Sequence, residues 1–444
     1  MKASKLTILI ILSISCVFLL SCEKDDAVVK EEIAVPEEPV LEEEEEEEEE
    51  QGEDDSPESP VTFFYPDLVM DHYILINNAA SNEVYLINKQ GERVFDWSLS
   101  NNIGNDVYLL PDGRLLASLE ADDVKMALGG QGGKLQFVAA DGTIEWNFDY
   151  SSEEAELHHD AELLPNGNVI AMVWEKVPQL DAEEAGSGHG MDIFVEGIIE
   201  VNPETNEIVW EWHSMDHLVQ DQNPDKQNFG SVAENPNKID LNYVTHEKGD
   251  IMHANGISYD PVNDLIFLSV NFYSEVWVID HSTTTEEAAG SNGGNFNKGG
   301  DLVYRFGNPE AYQNPAGTRL FNNNHYPNLL TGDDSGKMLI FSNGISQSTV
   351  YELELPATYD LVQGIDNEPV VSWSFTDPEL YSPKVSGAVP LPNGNVLITE
   401  GDFGLWEVTR DGKVVWQYQS PGFYWRAYHY DKDSPEINAL GLSE

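Results

Sequence analysis

The feature that most constrains this chain is a short strand–turn–strand unit that recurs with nearly the same spelling. Leu110-Pro111-Asp112-Gly113, Leu164-Pro165-Asn166-Gly167 and Leu391-Pro392-Asn393-Gly394 each sit between two runs rich in Val, Ile and Leu. Proline presets the backbone at such a turn, Asn or Asp bonds to the main chain two residues on, and glycine takes the positive φ. Looser copies occupy 257–268 and 328–340. A second pattern alternates with the first: a strand, a turn and a strand ending on an aromatic, at 84–97, 135–146, 197–210, 276–306, 350–373 and 405–416. One unit of each kind gives four strands. Such a sheet cannot cover its own faces, so the units must stack in a ring. The expected class is therefore all-β, a six-bladed β-propeller, with 63–78 and 423–430 joining to close the ring. Seven blades is the alternative, because insertions at 176–196, 215–250 and 282–300 leave room for more strands.

The propeller is expected to fill residues 61–444, behind two segments of other character. Residues 1–22 read as a lipoprotein signal: Lys2 and Lys5 precede an apolar run that ends Leu19-Leu20-Ser21-Cys22, too short for a spanning helix of about 20 residues. Cys22 is the expected lipidation site, and the charged residues after it are similar to the export tag of surface lipoproteins. This points to an exported lipoprotein of the outer membrane or cell surface of a Gram-negative bacterium. Membrane attachment is expected only through that N-terminal anchor. Residues 23–60 hold 20 acids against two lysines, including nine consecutive glutamates at 42–50, and few apolar groups. That composition predicts a disordered, self-repelling tether.

The whole chain carries a net charge of −58. Removing the −18 of the tether and the +2 of the signal leaves −42 for residues 61–444. An acid excess of that size excludes a nucleic-acid partner, which needs a basic face. The two cysteines, Cys16 and Cys22, both lie in the signal, so neither disulfide nor thiol chemistry is expected in the mature chain.

In a propeller the first strand of each blade lines the central channel, and its first residues stand at one mouth. Counting back eight residues from the turn glycine reaches Asn105 from Gly113, His159 from Gly167 and Ser386 from Gly394. The looser openings contribute His325 and either His253 or Asn255, and the closing strand contributes Arg426. Three of eleven histidines thus fall at equivalent repeat positions. Two chemistries fit. Three neutral imidazoles suit Zn²⁺ or another transition metal. Alternatively, His and Arg hold a tetrahedral oxyanion while one imidazole acts as nucleophile or proton carrier. Arg426 favours the anion, because a guanidinium repels a metal cation and forks onto sulfate or phosphate oxygens. No metal is therefore assigned. The candidate catalytic residues are His253, His325 and His159, and the candidate substrate-binding residues are Arg426, Asn255, Asn105 and Ser386.

At these positions the sequence resembles the bacterial aryl-sulfate sulfotransferases. The resemblance is carried by Asp250-Ile-Met-His253-Ala-Asn255-Gly-Ile-Ser-Tyr259, by 266–270, 276–285 and 299–309, by Leu320-Phe-Asn-Asn-Asn-His325, by 386–395 and by Arg426-Ala-Tyr-His-Tyr430. It implies a propeller that moves a sulfuryl group from a phenolic sulfate ester to a phenol through a sulfated histidine, with no 3′-phosphoadenosine nucleotide and no other cofactor. The implied partners are a small-molecule aryl sulfate and a phenol, and a monomer is expected. His253 and His325 match the family's sulfate-binding histidines. Two family positions differ. Its arginine after serine is Gln347 here, following Ser346, and its nucleophilic histidine falls in Ser382-Pro-Lys-Val-Ser-Gly387, which has none. Lys384 is a possible replacement cation. Three functions follow: an active sulfotransferase, a catalytically silent propeller that binds a sulfated or phenolic ligand, and a His-ligated metallo-propeller.

Overall fold

The computed structural model describes residues 59–79, 81–420 and 422–443. The lipobox at Cys22 and most of the acidic segment 23–60 lie outside the described residues. Among the described residues, no helix is long and apolar enough to cross a membrane.

Six antiparallel sheets stand around one axis, and the innermost strand of each touches the innermost strands of its neighbours. In ring order these strands are Tyr424–Tyr430, Ile103–Leu109, Ala155–Leu163, Ala254–Asp260, Asn324–Leu329 and Gly387–Pro390, belonging to blades 1 to 6. The propeller is six-bladed. Among the described residues, the long insertions hold no seventh blade. They form a helix at Gln179–Ala185, a short parallel pair of Leu218–Val219 with Ile239–Asp240, and a helix at Thr285–Ala288.

The recurring turns behave alike. Gly113, Gly167 and Gly394 have φ of 85°, 87° and 89°. In each turn the Asp or Asn before the glycine accepts a bond from the backbone N–H two residues on, at 3.2, 2.9 and 3.0 Å.

Closure differs from the expectation in one respect. The segment 63–78 does not act as one piece. Tyr73–Asn78 pairs with the C-terminal Tyr424–Tyr430 in blade 1, whereas Val61–Phe64 adds a fifth strand to the outer edge of blade 6 against Val414–Gln419. The two ends of the chain therefore stitch neighbouring blades in opposite directions. A buried ion pair braces the same seam: Lys89 Nζ lies 2.6 Å from Glu407 Oε2 and 3.7 Å from the centre of the Trp416 ring. Burial, only partly offset by Glu407, brings the Lys89 ammonium down to about 8.

Candidate active site

The channel side chains are aimed by irregularities in the innermost strands. Five of the six lose register at the mouth: around residues 104–106 of blade 2, 159–160 of blade 3, Asn255 of blade 4, 326–327 of blade 5 and 425–426 of blade 1. Bulges of this kind turn neighbouring side chains to the same side of a strand. Backbone strain gathers at the same level. His159, His253, Tyr326 and Val385 have φ of 50–53°, and Ser386 has 91°. A β-branched residue such as Val385 rarely adopts this conformation, and such strain concentrates at functional sites.

His159, His253 and His325 come together. The His159 and His253 ring centres are 5.0 Å apart, and Trp425 lies 4.9 Å from His159 and 5.6 Å from His325. Their surroundings differ. His253 Nδ1 is 2.5 Å from Asp250 Oδ2, and its ring stacks on Phe272. Burial opposes its protonation, but the Asp250 carboxylate outweighs burial and raises its pKa. His325 bonds Asn343 through Nδ1 at 2.6 Å, and its Nε2 accepts the Val385 N–H at 3.2 Å. Burial brings its pKa down to about 3, with His253 and Arg426 adding to the fall.

His159 ends a hydrogen-bonded chain. Its Nδ1 lies 2.8 Å from His158 Nδ1, and His158 Nε2 lies 2.9 Å from Glu196 Oε2. The His158 ring stacks flat on Trp174 at 4.2 Å. Burial, then the charge of His253, holds His159 well below the usual imidazole range. The cluster thus combines His253, whose pKa is raised, with two imidazoles held neutral. The loop at Gly129 and Gly130 lies over it, and a Cβ at Gly130 would collide with the His159 ring. His253 keeps 16% of its side chain exposed.

The other candidates are placed differently. Asn105 donates to the Gly130 carbonyl at 2.8 Å and so holds the covering loop. Asn255 is buried and donates to the Asn324 carbonyl at 2.7 Å. Ser386 is buried, and its hydroxyl accepts the Gly401 N–H at 3.1 Å. Gln347 and Lys384 are exposed. Arg426 corrects the expectation of an anion-holding guanidinium among the histidines. It sits behind them, 2.6 Å from Asp160 and 3.5 Å from Asp106, stacked on Tyr326, and lines the cavity at the other mouth. Two buried carboxylates balance its charge. Among the described residues, no three His, Cys, Asp or Glu side chains are grouped so as to hold a metal ion.

Sequence reasoning missed Asp250, Glu196, His158, Trp174, Asn343 and Trp425. Asp250, three residues before His253, and His158, beside His159, were within reach of a search for ring partners. Glu196 and Asn343 arrive from second and third strands, and no local spacing announces them.

A β-propeller with a buried histidine cluster at one channel mouth defines the class. The chain belongs to the arylsulfotransferase (ASST) family, whose model matches residues 65–437, nearly the whole described chain. Arylsulfotransferase-like function, with a small aryl sulfate and a phenol as substrates, follows from that membership. No curated protein matches. Solved structures of similar shape include a functionally unknown protein from Desulfotomaculum acetoxidans, with 11% identity over 81% of this chain and 99% of that one at a TM-score of 0.42. Others are Kuenenia stuttgartiensis hydrazine synthase (16%, 64% of this chain, 68% of that one, TM-score 0.35) and the WD40 domain of Toxoplasma gondii coronin (10%, 81%, 68%, 0.38).

Proposed function

We propose that the histidine mouth transfers a sulfuryl group from a phenolic sulfate ester to a phenol in two displacements at His159, without 3′-phosphoadenosine nucleotide. The observation that supports this reading is the Glu196–His158–His159 chain beside His253, whose pKa Asp250 raises. When the proton shared by Glu196 and His158 rests on His158 Nε2, His158 Nδ1 accepts from His159 Nδ1–H. His159 Nε2 then carries the free lone pair beneath Gly130, and the loop at Gly129 and Gly130 has to move aside for an ester to reach it. That lone pair attacks sulfur, an N–S bond forms and the S–O bond to the aryl group breaks. His253 Nε2–H donates its proton to the departing phenoxide. In the second half the acceptor phenol gives its proton to His253, its oxygen bonds sulfur and the N–S bond breaks. His325 has both nitrogens engaged, so it positions Trp425 and the 382–385 loop rather than attacking. As part of the same proposal, the chain is exported and anchored at Cys22, away from the cytoplasmic nucleotide pool.

The test is turnover of 4-nitrophenyl sulfate with phenol in nucleotide-free buffer, with mass spectrometry of peptides from quenched enzyme. The reading requires release of nitrophenol and a sulfuryl adduct on the peptide containing His159. The covering loop and the engaged nitrogens of His325 favour a second reading, a catalytically silent surface propeller that binds a sulfated or phenolic ligand. Saturable binding of the ester without turnover would select it.

A further inference from the structure

A larger space opens at the other end of the channel, where the innermost strands run into their turns. Its volume is about 1440 Å³, ample for a small organic ligand. Its floor is acidic. Asp106, Asp160 and Glu162 all face it, with Arg426 the one cation among them. Around the whole cavity six acidic residues stand against three basic ones. Asp160 is well satisfied: it accepts from Arg426 at 2.6 Å, from Ile257 N–H at 2.9 Å and from Ala161 N–H at 3.0 Å. Glu162 accepts the Tyr259 N–H at 2.9 Å. Asp106 is less well satisfied. Its Oδ2 accepts from the Tyr428 hydroxyl at 2.7 Å and lies 3.5 Å from Arg426, and the Val107 N–H is near the carboxylate, but its buried Oδ1 makes no well-aligned hydrogen bond, in a residue only 3% exposed. A buried carboxylate oxygen left poorly bonded is costly unless something supplies a donor. Burial accordingly pushes Asp106 up to about 7 and Glu162 up to about 8, since Arg426 balances only part of the acidic floor.

The walls restrict what the donor can be. Tyr108, Tyr259, Tyr326 and Tyr428 line the space together with Leu163 and Ile257. Aromatic faces attract organic cations, and aliphatic walls favour a ligand with an apolar body. The acids do not gather into a metal-holding group. Only one cation, Arg426, stands on the floor, and Asp160 already engages it, so a sulfate ester finds no free cation there.

We propose that this second mouth is a binding site for an arylalkyl ammonium ion, its nitrogen over Asp106 and Glu162 and its ring among the tyrosines. The site is separate from the histidine cluster and stands whether or not that cluster transfers sulfuryl groups.

Calorimetric titration with phenethylamine, and with the uncharged 2-phenylethanol of nearly the same shape, tests it. Wild-type protein should bind the amine saturably and the alcohol at least about tenfold more weakly. Glu162→Gln and Asp106→Asn should each weaken the amine about tenfold or more. Asp360→Lys, on the exposed rim, should weaken it about threefold. His253→Ala, at the other mouth, should bind it as wild type does. Should the core variants fail to fold, the wild-type preference and the rim variant still decide. Absence of amine binding, equal binding of alcohol and amine, undiminished binding by a folded Glu162→Gln protein or loss of binding in His253→Ala would each overturn the proposal.

Discussion

The histidine cluster and the acidic floor adjoin along the same innermost strands, His159 beside Asp160 and Trp425 beside Arg426, and burial acts on them with opposite consequences. At the histidine end, burial removes protons: His159 and His325 are held neutral, and only His253, with Asp250 at its back, keeps a positive bias. At the far end, burial adds protons to carboxyl groups, raising Asp106 to about 7 and Glu162 to about 8. The same desolvation thus keeps imidazoles unprotonated in one region and raises the carboxyl pKa values in the other, where a bound cation would favour the ionised form. Trp425 and Arg426, neighbours in one bulge, divide the two regions: the indole packs on the histidines and the guanidinium on the acids. A bulge achieves this because it sends adjacent side chains where regular strand alternation would not.

The sharpest way to break this division is to remove the proposed nucleophile. His159→Ala should lower transfer by about 10³-fold or more, while phenethylamine binding at the far mouth stays unchanged. Steady-state rates with 4-nitrophenyl sulfate check the first outcome and calorimetry the second. Glu196→Gln should lose less, about 10²-fold, because it disturbs the relay and leaves the attacking nitrogen. A Glu196→Gln enzyme as fast as wild type would leave the relay without a role.

Asp250→Asn should cost about 10²-fold and also move the pH profile. Asp250 raises the His253 pKa. The step that uses protonated His253 declines as pH climbs through that pKa. Without the carboxylate, the declining limb should shift to lower pH. An unmoved limb would mean that His253 is not the proton donor.

Stability should respond to pH with opposite signs at the two ends. His325 has a folded pKa of about 3, below its ordinary 6.5. Its contribution is present above about pH 6.5 and is lost as pH falls toward 3. Glu162 is raised from 4.5 to about 8. Its contribution is complete below pH 4.5 and is lost as pH rises through 8. His325→Asn should therefore flatten the acid side of a melting-temperature profile, and Glu162→Gln the alkaline side, each by about 5 kcal/mol at most. Flattening on the same side for both would contradict the contrast between the mouths.

The ring was legible in the sequence because its signals are local. A Pro-Asn-Gly turn sets its own geometry, and the six aromatic-ended units count the blades. The offset of His159 and His325 from their turns was legible for the same reason, since strands of equal length start at equal height. Arg426 was not. A two-residue bulge decides which way a side chain points, and nothing in Tyr424-Trp425-Arg426-Ala427 reveals one. The role of Val61–Phe64 was hidden likewise, because pairing with blade 6 rather than blade 1 depends on contacts more than 350 residues apart in sequence.

The smallest expected effect belongs to Ser386, in the stretch 382–387 where the resemblance leads one to expect a nucleophilic histidine. Its hydroxyl is buried and accepts the Gly401 N–H, which gives it a structural partner. A serine hydroxyl is also a weak nucleophile without an adjacent base, and the nearest ionisable neighbour in sequence, Lys384, is exposed. Ser386→Ala should therefore leave Gly401 N–H without its acceptor, costing about 1 kcal/mol of stability, while transfer stays within about threefold of wild type, roughly 0.6 kcal/mol in barrier. Paired melting curves and initial rates measure both numbers. Loss of transfer in Ser386→Ala with retention in His159→Ala would return the chemistry to the 382–387 loop. The contrast between the two mouths would survive that result, since it rests on burial, but the histidine end would lose its nucleophile.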